Sequence, residues 1–352
     1  MYSLSCCIIV KNEAHRLTSL LKSLSPVCEQ IVVVDTGSED NTIQVAKDMG
    51  AEVSFFPWND SFSCARNKSL KEARNPWILY VDADDLIPDN SLFSIAELKK
   101  NPPEKAFAFV IQSTQDGITG ISSAQIRMFP NALGLEFKYR VHEQIRPALM
   151  EKGIPIIFKE INIIHTGYTD QSAVTAKQKR NIKLLEEDLM DYPDDGFLHY
   201  MAAMAWLDLK KYASAKEAFL KAWELSIAAP DKRHLALGAA LELVELGLKK
   251  EQILQPEVMT WLEKAEDIEK NYPRCLYLRG RLAYEENDMS NSLKSLNSLM
   301  DCQMPDLLLP ININMLKTVG AALMSQIYIK TGRPKDAISI LNKVEQILNK
   351  TP

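Results

Sequence analysis

Trp77-Ile-Leu-Tyr-Val-Asp82-Ala-Asp84-Asp85 sets a short apolar run directly against three carboxylates. The run reads as a buried parallel strand, and in open α/β sheets ligands bind at the carboxyl end of such strands. Carboxylates this close repel one another unless a cation neutralises them. Hard oxygen ligands suit Mg2+ or Mn2+, which in turn bind nucleotide phosphates. The stretch therefore predicts a metal-nucleotide site at a sheet edge. Taken alone, an Asp-x-Asp serves equally as a cap for the helix that follows, here expected from Ser91.

The chain before it repeats one pattern. Residues 4–10 are a continuous apolar run followed by the polar turn Lys11-Asn12-Glu13, and Leu17, Leu20, Leu21 and Leu24 then fall at helical spacing until Pro26. A second apolar run, 30–34, ends at Asp35, with Thr36-Gly37-Ser38 as a turn and Asp40 or Thr42 available to cap the next helix. Residues 51–57 supply a third strand. Ser61 is then placed to cap a helix whose inward face is Phe62, Ala65 and Leu70. Strand alternating with helix predicts a mostly parallel sheet with right-handed crossovers and helices on both faces.

After Asp85 the pattern loosens into shorter strand-like runs at 106–111, 124–129 and 156–164. Between them lies Phe137-Lys138-Tyr139-Arg140-Val141-His142-Glu143-Gln144, and the last run leads into His165-Thr-Gly-Tyr168. Each histidine reads either as a functional group or as an edge histidine donating to a backbone carbonyl.

Beyond Ser172 the periodicity is helical, punctuated by Pro193, Pro230, Pro256, Pro273, Pro310 and Pro334. Tyr212, Ala215, Phe219 and Ala222 alternate bulky and small residues as the two helices of an interlocking hairpin do. Tyr328, Gly332, Ala337, Leu341 and Val344 restate the spacing, and Gly280, Met289, Ser292, Leu296 and Leu299 give a weaker copy. These resemble tetratricopeptide repeats of irregular period. Stacked hairpins leave a groove for a peptide, a protein or a second subunit, so the expected partners include a homodimer through the repeats. The predicted division is an α/β domain over 1–171 and an all-α repeat domain over 172–352.

Composition agrees with an ordinary soluble protein: 352 residues, 46% apolar, 25% charged, net charge -5. This balance gives no general basic surface for nucleic acid. The six cysteines include no Cys-x-x-Cys, and Cys6 and Cys7 sit inside an apolar run, which predicts buried free thiols. With no membrane-length apolar window and no signal-like N-terminus, the expected location is cytoplasmic.

Four motifs now stand in order: Ile8-Ile-Val-Lys11-Asn12-Glu13, Val34-Asp35-Thr-Gly-Ser38-x-Asp40-x-Thr42, Phe62-x-x-Ala65-Arg66-Asn67 and Val81-Asp82-Ala-Asp84. Together they resemble the family 2 glycosyltransferases of the GT-A fold over roughly residues 1–170. With Arg127-Met-Phe129, Val141-His142-Glu143, His165-x-Gly-Tyr168 and the helical repeats, the likeness narrows to a bacterial subgroup that includes peptide S-glycosyltransferases.

The resemblance implies a hexosyltransferase that uses a nucleotide-sugar donor, usually UDP-linked, with a divalent metal (Mg2+ or Mn2+) and inversion at the anomeric carbon. Carried over by position, Lys11, Asn12, Glu13 and Asp35 would line the base and ribose. Arg66 would help hold the diphosphate, Asp82 and the adjoining Ala83 would approach the nucleoside, and Asp84 and His165 would ligate the metal. Asp85 is an extra acid without an assigned role. Glu143, or else His142, would take the acceptor's proton, and Arg127 and Arg140 are expected at phosphate or on the surface.

The implied acceptor is a peptide or protein. Competing expectations are transfer to a cell-surface glycan or lipid-linked acceptor, and an inactive transferase domain serving as a repeat scaffold. A nucleotidyltransferase would carry a Gly-rich loop after its first strand, where this chain has Lys11-Asn12-Glu13-Ala14.

Overall fold

The alternation read from the first 85 residues is realised strand by strand in a computed structural model that describes residues 2–115, 118–132, 134–166, 171–249, 255–303 and 309–348. The first part of the chain runs β1 (Leu4–Val10), α1 (Ala14–Leu24), β2 (Gln30–Asp35), α2 (Thr42–Asp48), β3 (Glu52–Phe55), α3 (Phe62–Glu72) and β4 (Trp77–Asp82). It continues through β5 (Asp85–Leu86), α4 (Asp89–Leu98), β6 (Ala106–Gln115), β7 (Ile118–Pro130), α5 (Arg146–Glu151), β8 (Ile156–His165) and α6 (Gln171–Asp191).

The strands form one mixed sheet in the order β3-β2-β1-β4-β7-β6-β8-β5. The first four strands are mutually parallel, β1 pairing with both β2 and β4, and β2 with β3. The later strands add antiparallel pairings, β4 with β7, β7 with β6 and β8 with β5. Helices cover both faces, as expected. Leu4, Cys6, Ile8 and Val10 pack with Leu17, Leu20, Leu21 and Leu24 of α1 and Ile95 of α4. Cys7, Ile78 and Tyr80 point the other way, towards Leu70 of α3 and Leu149 of α5. This two-residue alternation is why β1 and β4 are apolar throughout.

The register brings the strand ends together: Val10 stands opposite Asp35 and Ile9 opposite Asp82. Ser61 caps α3 as predicted, its side chain accepting from Cys64 N. Trp77 is fully buried with its indole donating to Asn101 O at 3.1 Å, so the polar handle of the largest core side chain is satisfied.

The contacts divide the chain into two compact units, Met1–Asp191 and Tyr192–Pro352. The predicted division at 171/172 therefore differs from the observed one by the length of α6. The physical reason is an ion-pair cluster: Arg140 meets Glu187, Asp188 and Asp191 on that helix.

The regular elements of the second unit are helices among its described residues: α7 (Gly196–Asp208), α8 (Tyr212–Ile227), α9 (Arg233–Leu248), α10 (Gln255–Ile268), α11 (Pro273–Glu285), α12 (Met289–Asp301), α13 (Ile313–Lys330) and α14 (Pro334–Leu348), joined by turns, with a short 3-10 turn at Pro230–Lys232. Most of the residues singled out as repeat spacing are buried where helices meet, whereas Gly332 and Leu341 are exposed. Ala215, Phe219 and Ala222 are fully buried, Phe219 meeting Tyr200 edge-on. Gly280 lets α12 approach so closely that a Cβ there would lie 2.7 Å from Leu296, and Ser292 Oγ donates to the Gly280 carbonyl at 2.7 Å. Among the described residues no helix is long and apolar enough to cross a membrane.

Candidate active site

β4 ends on Asp82, and two buried arginines meet it there. Arg66, one turn into α3, donates to Asp82 Oδ1, and Arg127, on β7, donates to Oδ2 at 3.0 Å. Both guanidiniums stack on the Tyr80 ring, at 4.7 and 4.6 Å from its centre. Burial pushes the Asp82 carboxyl up, but Arg127 and Arg66 outweigh it and hold the group well below the usual carboxylate range. Burial likewise works against the charge on each arginine, and the acids overcome it, keeping both above the ordinary value.

The next two acids differ from Asp82 and from each other. Asp85 is fully buried, and both of its oxygens are engaged. Oδ1 lies 3.0 Å from His165 Nδ1, while Oδ2 accepts from Asp82 N at 2.9 Å and lies 3.3 Å from Arg127 Nη1. The pairing of β5 with β8 sets Asp85 directly opposite His165, so the short edge ladder is what brings them together. Asp84 keeps its side chain partly open to solvent, with Oδ1 3.5 Å from His165 Nδ1, and its carbonyl accepts from Thr166 N and Oγ1.

Burial raises the Asp84 carboxyl above its usual range and the charges of Asp82 and Asp85 add to it, against the opposing pull of His165. His165 is raised in turn, first by its hydrogen bond to Asp85, with burial opposing and the Asp84 and Asp85 charges assisting. Asp82, Asp85 and His165 each bring one ligand atom within 4.8 Å of the others. Gly167 and Tyr168 of the motif following His165 lie outside the described residues.

The β1 turn and the end of β2 flank this edge. Asn12 takes a left-handed φ of 58°, its amide oxygen accepting from Glu39 N at 2.8 Å and its N–H donating to Ser38 Oγ at 2.9 Å. Lys11 is exposed; Glu13 is buried, with its N–H donating to Thr42 Oγ1 at 2.8 Å. Asp35 is buried and accepts from Gly37 N and Ser38 N, folding the Thr36-Gly37-Ser38 turn over its own carboxylate. Ala83 is buried between the acids.

Glu143 reaches the site by a separate route. Arg66 Nε donates to Glu143 Oε1 at 2.5 Å, so one guanidinium joins Glu143 to Asp82. The neighbouring Asn67 holds the same loop by its backbone, donating to Phe137 O at 3.0 Å and accepting from Phe137 N at 2.7 Å. Reciprocal Lys138–Gln144 hydrogen bonds close the loop, and both Tyr139 and His142 within it have left-handed φ, at 73° and 54°. Such residues cost about 1–3 kcal/mol each, which the fixed contacts must offset. His142 is held down to about 4, by burial first and by Lys177 and Arg180 against the opposing Glu143, so its ring is neutral at pH 7.

Three placements escape a reading of the sequence. Arg66 meets Asp82 and Glu143 inside the protein, Arg140 docks on α6, and Arg127 is almost completely buried between two acids, its Nε without a hydrogen-bond partner among the described residues. The available signal for Arg127 was its position in an apolar strand, where a buried charge requires partners. Asp188, the buried acid that holds Arg140, carried no signal.

Residues 5–179 match the family model described as Glycosyl transferase family 2. The chain carries a family 2 glycosyltransferase domain, and the mixed sheet with its acidic edge is that domain. Over 312 residues it is 28% identical to the SPbeta prophage-derived glycosyltransferase SunS of Bacillus subtilis, spanning 86% of this chain and 72% of that protein. Over 205 residues it is 31% identical to a TPR repeat-containing protein of Synechococcus elongatus, spanning 56% of this chain and 51% of that one. Among solved structures it is similar to glucosyl-3-phosphoglycerate synthase of Mycobacterium tuberculosis in complex with Mn2+, UDP and glucosyl-3-phosphoglycerate, at 15% identity and TM-score 0.37, over 53% of this chain and 79% of that one.

Proposed function

We propose that the chain transfers a hexose from a UDP-linked donor to a peptide or protein acceptor, with inversion, assisted by Mg2+ or Mn2+. The observation that carries the reading is the unequal use of the three acids. Asp82 and Asp85 are paired with arginines, whereas Asp84 stands only partly exposed beside His165, its carboxyl raised by burial first and then by the charges of Asp82 and Asp85. A carboxylate in that position gains from a bound cation, and an oxygen donor beside an imidazole fits Mn2+ or Mg2+. Asp84 and His165 would hold the ion, which when bound supplies positive charge to the departing diphosphate.

Lys11, Asn12, Glu13, Asp35 and Ala83 line the same edge and are assigned to the base and ribose. Arg66 acts through the groups it holds, fixing Asp82 for the nucleoside and Glu143 for the acceptor. In the reaction the acceptor's O–H or S–H gives its proton to Glu143, the acceptor atom bonds to the anomeric carbon, and the bond from that carbon to phosphate oxygen breaks, releasing UDP. His142, neutral and half-buried, stands next to Glu143 in the same loop. The helical unit is assigned to acceptor recruitment, in keeping with the hairpin packing around Phe219 and Gly280.

The test is a thermal-shift panel of UDP-hexoses with and without Mn2+, followed by turnover with the preferred donor. A Mn2+-dependent rise in melting temperature is expected, absent in Asp84→Ala. Glu143→Gln should bind donor normally and lose about 10²- to 10⁴-fold in transfer. A folded chain without affinity for any nucleoside diphosphate in the presence of either metal would remove the transferase reading.

A further inference from the structure

The family pattern leaves the role of Asp85 open, yet its carboxylate meets His165, the Asp82 N–H and Arg127. We infer that Asp85 is a positioning residue: its carboxylate fixes the ring of His165 by accepting Nδ1–H, so that Nε2 keeps the lone pair a metal requires, and Asp85 itself is not a ligand. The inference rests on the metal reading above and adds to it the group that orients the imidazole.

The geometry leaves Asp85 little else to do. Its side chain is fully buried, one oxygen lies against His165 Nδ1 at 3.0 Å, and the other is shared by Asp82 N and Arg127. A carboxylate facing a guanidinium accepts and does not donate, so the proton between Asp85 and His165 belongs to the imidazole. Fixing one ring nitrogen by hydrogen bond selects the other as the ligand atom. The same carboxylate bonds to the main chain of Asp82, so the histidine on β8 and the acid ending β4 are set by one residue. Asp85 is therefore placed to fix the His165 ring before any ion arrives.

Only five histidines occur in the chain, which makes the tautomer directly measurable. Two-bond 1H–15N spectra of the full [15N]His-labelled chain at alkaline pH should show His165, assigned by its loss in His165→Gln, as the Nδ1–H form. Asp85→Asn cannot satisfy both the His165 donor and the two donors on its other side, and should lose the single-tautomer signature. Its affinity for Mn2+ alone, followed by electron paramagnetic resonance of the free ion, should fall about 10- to 100-fold. His165 as Nε2–H in a wild-type chain that takes up Mn2+ would overturn the role of Asp85 alone. A wild-type chain that took up no Mn2+ would overturn the metal reading, and with it any service of Asp85 to a metal. Wild-type Mn2+ affinity in a folded Asp85→Asn chain would show that the acid does not position the ligand.

Discussion

Arg127 decides the electrostatics of the site. At 1% exposure it bridges Asp82 and Asp85 while lying on Tyr80, and a second arginine takes the remaining oxygen of Asp82. Removing one partner of such a buried pair is costly because the other charge is left uncompensated. Arg127→Met is therefore expected to lose about 3–5 kcal/mol of stability in urea unfolding. Arg127→Lys should recover little of it, because an ammonium cannot fork between two carboxylates and stack on a ring at once. Near-wild-type unfolding of Arg127→Met would mean that the acids find other compensation. The buried thiols are quieter. Burial pushes Cys7 up to about 12, so it stays protonated and inert, as its place in β1 suggested.

At the scale of the element, the loop over 137–144 is held from two helices. Phe62 N and Asn67 of α3 bind its backbone, and on the other side Asp188 of α6 accepts from both Arg140 N and Arg140 Nη1. Two left-handed non-glycine residues persist in it because these contacts leave it no easier conformation. Asp188→Ala should thus loosen the loop with little effect on the sheet. Amide exchange over 138–144 should quicken and kcat should fall with donor affinity unchanged, while Asp188→Asn, which still accepts from Arg140 N, should restore most of the protection. Equal protection in Asp188→Ala would show that α3 alone secures the loop. This is where the sequence was least informative. The motif Phe62-x-x-Ala65-Arg66-Asn67 was visible, but the partners that explain it lie some 70 residues away, at Phe137 and Glu143.

For the whole molecule, the unit boundary at Asp191/Tyr192 gives a cut that respects the ion pairs of Arg140. A fragment ending at Asp191 is expected to fold cooperatively and to keep the Mn2+-dependent shift with a UDP-hexose while losing acceptor use. A fragment ending at 172 lacks α6 and should melt lower. Identical melting of the two fragments would deny α6 its place in the first unit.

The sequence by itself determined the parallel half of the sheet, the buried face of α1, the hairpin spacing of the second unit and the family of the first. Each of these is written in local periodicity, in capping residues such as Ser61 and in motifs only a few residues long. It missed the buried face of α3, which is Ser63, Ala65, Arg66 and Ser69 in place of Phe62, Ala65 and Leu70. Tertiary structure alone decided which charges meet: Asp85 with His165 across the β5–β8 ladder, Arg127 with two acids from a strand some 45 residues downstream, and Arg140 with α6. Ion pairs and hydrogen bonds between distant segments leave no periodic trace, because a charged residue in sequence looks the same whether it faces solvent or a buried partner.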